Sequence, residues 1–146
     1  MHFTIYADGG ARGNPGPAGA GAVIYSEGGE LLASVSKFLG QRTNNFAEYE
    51  AIILALEKLA QLLPEEKRAQ TQVLVKMDSE LVVKQMRGEY KVKHPALKEQ
   101  QARLKERAAV FGGVAFTHVP RAQNKEADLL ANRAMDNGYA SEHSHG

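Results

Sequence analysis

The apolar residues of this chain change their pattern near Gly40, and that change limits what the chain can fold into. Before Gly40 they alternate with polar residues in short runs separated by glycine-rich turns; after it, stretches with spacings of three and four alternate with short apolar runs. Phe3, Ile5 and Ala7 against Thr4 and Tyr6 predict a first strand over residues 2–7, closed by Asp8-Gly9-Gly10. A glycine and proline segment, Gly13 to Gly19, leads to a second strand over residues 20–25. Glu27-Gly28-Gly29-Glu30 then predicts a hairpin turn into a third strand over 31–39. Ile52, Leu56, Leu59 and Leu63 predict a long helix that starts at Asn44 or Asn45 under an Asn or Thr cap and stops at Pro64. A buried strand over 71–77 follows, then a short helix capped by Ser79 and ended by Gly88. Pro95 opens a helix to about Phe111, residues 114–119 form a fifth strand, and a last helix over 123–137 ends at Gly138. The order βββαβααβα predicts an α/β fold, a mixed sheet flanked by helices.

At 146 residues the chain is about one domain long, and its 43% apolar content is enough for a core without disulfides. Residues 1–138 are expected to form that domain and 139–146 a flexible C-terminal tail. There is no cysteine, which removes thiolate zinc sites and cysteine nucleophiles and suits a reducing compartment. No apolar run approaches the roughly 18 residues of a membrane span, and Met1 to Ile5 lack the basic flank of a signal peptide. A monomeric, cytoplasmic protein without membrane partners is expected.

The formal charge is +1, from 18 Lys and Arg against 17 Asp and Glu. It is unevenly spread. Residues 84–107 hold eight bases (Lys84, Arg87, Lys91, Lys93, Lys98, Arg103, Lys105, Arg107) against Glu89, Glu99 and Glu106, so this segment carries +5 and the remainder −4. Such a run is either a solvated helix face or a footprint for a polyanion.

Four carboxylates stand where a packed domain would not want them. Asp8 and Asp78 each end an apolar strand, and two such strands running side by side in one direction would bring both acids to one sheet edge. Glu48, four residues before Ile52, and Asp128, three before Ala131, lie on the apolar faces of their helices. Each alone could be a turn former, a helix cap or a solvated residue. Buried together they would repel one another, raise one another's pKa and require a cation. Oxygen-only ligands select a hard ion, Mg2+ or Mn2+, over zinc, and EF-hand spacing is absent. The glycine segment lacks Gly-Lys-Ser/Thr and leads into a strand, which excludes a P-loop or dinucleotide fold.

Four segments then match a known family in order. Tyr6-Ala7-Asp8-Gly9-Gly10 with Gly13-Asn14-Pro15-Gly16-Pro17, Thr43-Asn44-Asn45 with Glu48, Asp78-Ser79, and Asn124 with Ala127-Asp128, Leu130 and Ala131 together resemble ribonuclease H of type 1. The resemblance spans residues 2 to about 137 and looks most like the compact archaeal-like or prophage-like branch. It implies a five-stranded sheet of three antiparallel strands then two parallel ones. It also implies an endonuclease that cuts the RNA strand of RNA/DNA hybrids with two Mg2+ or Mn2+ ions, leaving 5′-phosphate and 3′-hydroxyl ends. Asp8, Glu48, Asp78 and Asp128 are then the catalytic metal ligands. Gly10, Arg12, Asn14, Thr43, Asn44, Asn45 and Glu80 fall at substrate-binding positions, Thr43 at a phosphate contact and the asparagines near 2′-hydroxyls, where an amide can both donate and accept. Relatives often carry Gln where this chain has Glu80.

The chain departs from the family in two places. Some relatives carry a basic, Trp-bearing helix as a duplex handle, whereas only Gly88 to His94 separates the two helices here and Trp is absent; Lys84, Arg87, Lys91 and Lys93 are the candidate replacements. Many relatives have a mobile loop His before the last Asp; here Arg121 is the candidate substitute, with Asn124 a second candidate for product release or phosphate contact. His118 on its strand reads as structural, and His143 and His145 fall in the tail. Double-stranded RNA is a further candidate substrate. The alternatives are a hybrid-binding module without catalysis, another nuclease of the same fold, and an acidic metal-binding protein.

Overall fold

The computed structural model describes residues 1–143, with side chains as far as Gly138. Five strands, β1 (His2–Ala11), β2 (Gly16–Ser26), β3 (Leu31–Arg42), β4 (Gln72–Met77) and β5 (Gly113–His118), form one sheet in the order β3-β2-β1-β4-β5. β1 pairs antiparallel with β2 and β2 with β3, while β1–β4 and β4–β5 are parallel. The five helices are α1 (Asn44–Leu62), α2 (Glu65–Arg68), α3 (Glu80–Met86), α4 (Pro95–Ala108) and α5 (Lys125–His143), the last preceded by a 3-10 turn over Arg121–Gln123. The mixed sheet expected from the sequence is the observed one.

The main core lies between one sheet face and α1. Odd-numbered residues of β1 and β4 (Phe3, Ile5, Ala7; Val73, Val75, Met77) meet Ala20, Ala22 and Ile24 of β2 and the apolar side of α1. Ile5, Ile24, Ile52, Ile53, Leu56 and Leu59 are all fully buried, each contributing about 1.5–3 kcal/mol relative to exposure. Leu104 of α4 joins that core, and Arg103 and Arg107 bind Glu50 and Glu57 of α1 at 3.3 and 3.0 Å. The opposite face carries α5, packed on β2 through small residues, with Ala127, Ala131 and Ala134 buried.

Two glycines set how closely these layers approach. A Cβ on Gly9 would collide with the Ala47 carbonyl of α1, and one on Gly21 would collide with the Ala127 carbonyl and the Ala131 amide of α5. Helix backbone therefore rests directly on strand backbone, which only glycine permits.

The boundaries differ from expectation in instructive places. Asp8 lies inside β1 and does not close it: the ladder with β2 runs on to Ala11↔Ala18, because Gly9-Gly10 is here extended chain under α1 and not a turn. The pairing of β1 with β4 does stop early, at Tyr6↔Lys76, so Asp8 projects past the end of its parallel neighbour. The short α2 after Pro64 was not foreseen, since four residues carry no periodicity. Gly138 does not end the last helix, which continues to His143. Its lack of a side chain serves packing instead, because the Phe38 ring of β3 occupies the place of a Cβ. The expected tail from Tyr139 thus overlaps helix as far as His143, and residues 144–146, His145 among them, lie outside the described residues. Among the described residues no helix is long and apolar enough to cross a membrane.

Because Gly21 touches backbone rather than a movable side chain, Gly21→Ala is expected to destabilise the fold by about 1–3 kcal/mol. Urea denaturation checks this as a lower midpoint at unchanged slope.

Candidate active site

Asp8, Glu48, Asp78 and Asp128 reach one pocket of about 330 Å³ from four different elements or element ends. Asp8 and Asp78 come from the adjacent parallel strands, Asp78 as the residue after β4. Glu48 is carried in by α1 where Gly9 admits that helix, and Asp128 by the first turns of α5 where Gly21 admits it. The alignment of α1 is set by Thr43, its N-cap, whose Oγ1 accepts from the Phe46 amide at 3.2 Å. Ser79 caps α3 in the same way, its Oγ accepting from the Val82 amide at 3.3 Å, and its hydroxyl lies near enough to Glu48 to oppose the rise in that carboxyl's proton affinity.

Crowding shows in the electrostatics. Burial, then the charge of Asp78, then a hydrogen bond with Asp128 and the charges of Asp128 and Glu48 push the Asp8 carboxyl up to about 8. Burial and Asp78 raise Glu48 to about 7 against the opposing Ser79 hydrogen bond. Glu48 Oε2 is buried with no hydrogen-bond partner. An orphaned carboxylate oxygen beside three further acids fits a cation of hard character. Among the described residues no group of three or more His, Cys, Asp or Glu side chains stands close enough together to hold a metal ion as they are placed.

The other residues singled out in the sequence divide into groups. Gly10, Arg12, Asn44 and Arg121 line the acidic pocket. Asn44 Oδ1 accepts from the Ala11 amide at 2.7 Å and Asn14 Oδ1 from the Asn44 amide at 3.1 Å, so the two amides lock the β1–β2 connection onto the start of α1. Arg12 pairs with Asp136, and exposed Arg121 lies 3.9 Å from Asp128. Asn14, Thr43 and Asn45 line a neighbouring pocket of about 490 Å³ together with Arg42, Phe46 and His94. Glu80 lines neither, being paired with Lys84 at 2.8 Å. Asn124 is 1% exposed, which corrects its expected role: a buried amide has no face to offer a phosphate or a leaving product.

The basic segment is also less free than its charge implies. Lys84 is held by Glu80 and Tyr90, and Arg87 donates to the Phe116 carbonyl at 2.9 Å. Arg103 and Arg107 are spent on α1. Lys91, Lys93, Lys98 and Lys105 form no ion pair among the described residues. Ser79, His94 and Arg42 were missed as site residues, because two helix caps and an isolated arginine carry no local signature of what they face.

A larger cavity, about 580 Å³, lies on the α5 face among Tyr6, Tyr25 and Lys76. Within it Lys76 lies over the Tyr6 ring and Tyr25 donates to Glu126, and none of the four clustered carboxylates lines it.

A raised carboxyl pKa means the folded chain holds protons that the unfolded chain has lost, so stability falls as pH rises from the ordinary carboxylate range toward about 8. In EDTA the melting temperature is therefore expected to fall between pH 5 and 8, and Asp8→Asn to flatten that fall. Differential scanning calorimetry across this range, with a difference of a few degrees corresponding to about 1 kcal/mol, checks it.

Comparison with known proteins bears on this geometry. The family model described as reverse transcriptase-like matches residues 6–134. The bifunctional protein Rv2228c of Mycobacterium tuberculosis is 44% identical over 137 residues, covering 93% of this chain and 36% of the relative. Ribonuclease HI of Halobacterium salinarum is 41% identical over 131 residues, covering 90% of this chain and 63% of the relative. The chain thus spans from about a third to under two thirds of the length of these relatives. LC11-RNase H1, isolated from compost by a metagenomic approach and solved in complex with RNA/DNA hybrid, superposes with a TM-score of 0.85 at 47% identity, covering 94% of this chain and 99% of its own.

Proposed function

Since this chain belongs to the ribonuclease H family, we propose that it is an endoribonuclease that hydrolyses the RNA strand of RNA/DNA hybrids, leaving 5′-phosphate and 3′-hydroxyl ends. The observation that carries the reading is the convergence of Asp8, Glu48, Asp78 and Asp128 on one pocket beside Asn44. The hybrid complex of a 47% identical relative supports the substrate class. All four carboxylates come from one chain, so a monomer suffices.

In this reading the four carboxylates would hold two divalent ions, Mg2+ or Mn2+, with Asp8 in the middle of the set. When bound, such ions supply an activated water for in-line attack on the phosphodiester and neutralise charge on the departing 3′-oxygen. The chain's own part is placement. Asp8, projecting beyond β4 from the central strand, is reached by the other three acids. Asp128, 3.9 Å from the solvent-exposed Arg121, orients the attacking side, and Arg121 takes the place of the loop histidine of other relatives. Asn14 and Asn44, fixed by their bonds to each other and to β1, present amide edges to the minor groove, where the 2′-hydroxyl distinguishes RNA from DNA. Thr43, in the neighbouring pocket with Arg42 and His94, contacts a backbone phosphate, and Asn45 beside it faces the 2′-hydroxyls with Asn14 and Asn44. Lys91 and Lys93 give the longer-range attraction to the duplex, which weakens as salt rises.

The test is cleavage of a labelled hybrid in Mg2+, in Mn2+ and in EDTA, beside double-stranded RNA and double-stranded DNA. Hybrid is expected to be cut only with metal, and replacing every ribonucleotide by its 2′-deoxy form to abolish cutting. Asp8→Asn is expected to lower kcat by more than about 100-fold, beyond the loss seen for outer partners of a metal site, with the fold retained by circular dichroism. Retained turnover in that variant, or cleavage of double-stranded DNA alone, would sink the reading.

A further inference from the structure

Asn124 ties together three of the four carboxylate-bearing segments. It stands between the 3-10 turn and α5, 1% exposed. Its Nδ2 donates to the carbonyl of Ala7, the residue before Asp8, at 2.9 Å, and reaches Asp78 Oδ1 at 3.4 Å. Its own carbonyl accepts from the amide of Asp128 at 3.0 Å. The parallel ladder of β1 and β4 stops at Tyr6↔Lys76, and the next β1 carbonyl is the one that Asn124 takes. The side chain thus extends the bonding of β1 beyond the sheet and reaches a carboxylate oxygen, while the main-chain carbonyl of the same residue accepts from the first turn of the helix that brings in Asp128.

The chemistry of the amide fits that position. Asp78 stands among like charges and would relieve repulsion by turning outward to water. A neutral donor restrains it without cancelling the charge a cation needs, as a lysine would, and without adding repulsion, as an aspartate would. Oδ1 of Asn124 is buried with no partner, a cost of about 1–3 kcal/mol that an apolar residue of the same size would avoid. The donor end is therefore what the position requires.

We propose that Asn124 is a positioning residue: it sets the spacing of Asp8, Asp78 and Asp128, and through it the affinity of the carboxylate set for a divalent cation, without touching the substrate. This rests on the ribonuclease H reading above, and the experiment separates the two. Asn124→Ala and Asn124→Ser, the latter keeping a donor of shorter reach, are compared with the wild-type chain in three measurements. These are Mg2+ binding to the free protein by titration calorimetry, melting temperature in EDTA, and kcat and KM on a labelled hybrid across a Mg2+ series. The Mg2+ dissociation constant is expected to rise about 10- to 100-fold, as for outer partners of metal ligands. Activity is expected to fall at low Mg2+ and recover in part at high Mg2+, with KM for hybrid unchanged within about twofold.

Unchanged Mg2+ affinity with only a lower melting temperature would make Asn124 a packing residue and overturn the proposal. A raised KM at unchanged Mg2+ affinity would make it a substrate contact and overturn it equally, as would a wild-type chain that takes up no Mg2+, or failure of both variants to fold. A wild-type chain that binds Mg2+ but leaves hybrid uncut refutes the functional reading alone, and the calorimetric comparison still judges Asn124.

Discussion

Four carboxylates forced into one pocket repel, and everything around them in this protein is arranged to hold them there. The holding is done by backbone: α1 lies against β1 at Gly9, and α5 lies against β2 at Gly21. Both contacts are too close for any side chain, so neither helix can slide without losing or colliding with main chain. A pocket assembled by long side chains would let the acids drift apart; one assembled by rigid elements in direct contact does not. The strain appears as raised proton affinity at Asp8 and Glu48, and a cation held among them would relieve it.

The core and the site are therefore one construction seen from two sides. Ile52, Leu56 and Leu59 fasten α1 to the odd-numbered side chains of β1 and β4, and the same helix carries Glu48 at its start. The alanine-rich inner side of α5 fills the thin space over β2 and carries Asp128. Capping by Thr43 and Ser79 fixes the first turns of the helices nearest the acids, which is where a shift would matter most. Asn124 closes the arrangement from the β1 and β4 ends.

Charge is distributed by the same logic. The +5 segment reads in one dimension as a reservoir of free cations. In three dimensions its arginines largely bind the protein itself, Arg103 and Arg107 to α1 and Arg87 to a carbonyl of β5. That leaves lysines on the surface, and solvated lysines suit a salt-sensitive, loosely specified attraction to a phosphate backbone better than a shaped contact.

Element type and order, the mixed sheet and the four acids were legible because each rests on short-range pattern: alternation, three-and-four spacing, and a carboxylate on an apolar face. Asp8 shows where that legibility ends. Its place among the candidate acids was visible, but the Gly9-Gly10 pair that follows read as a turn, because the helix that needs the bare backbone is encoded almost forty residues later. Gly138 misled for the same reason, its neighbour being Phe38 on another strand. Asn124 read as a surface contact, since nothing local says that Ala7 and Asp78 will reach it. Hydrophobic period is a property of neighbouring residues, so the sequence by itself determined the elements and nominated the carboxylates. Which glycine meets which helix, which cation is spent inside and which amide is buried depend on residues far apart in the chain, and only the tertiary structure decided them.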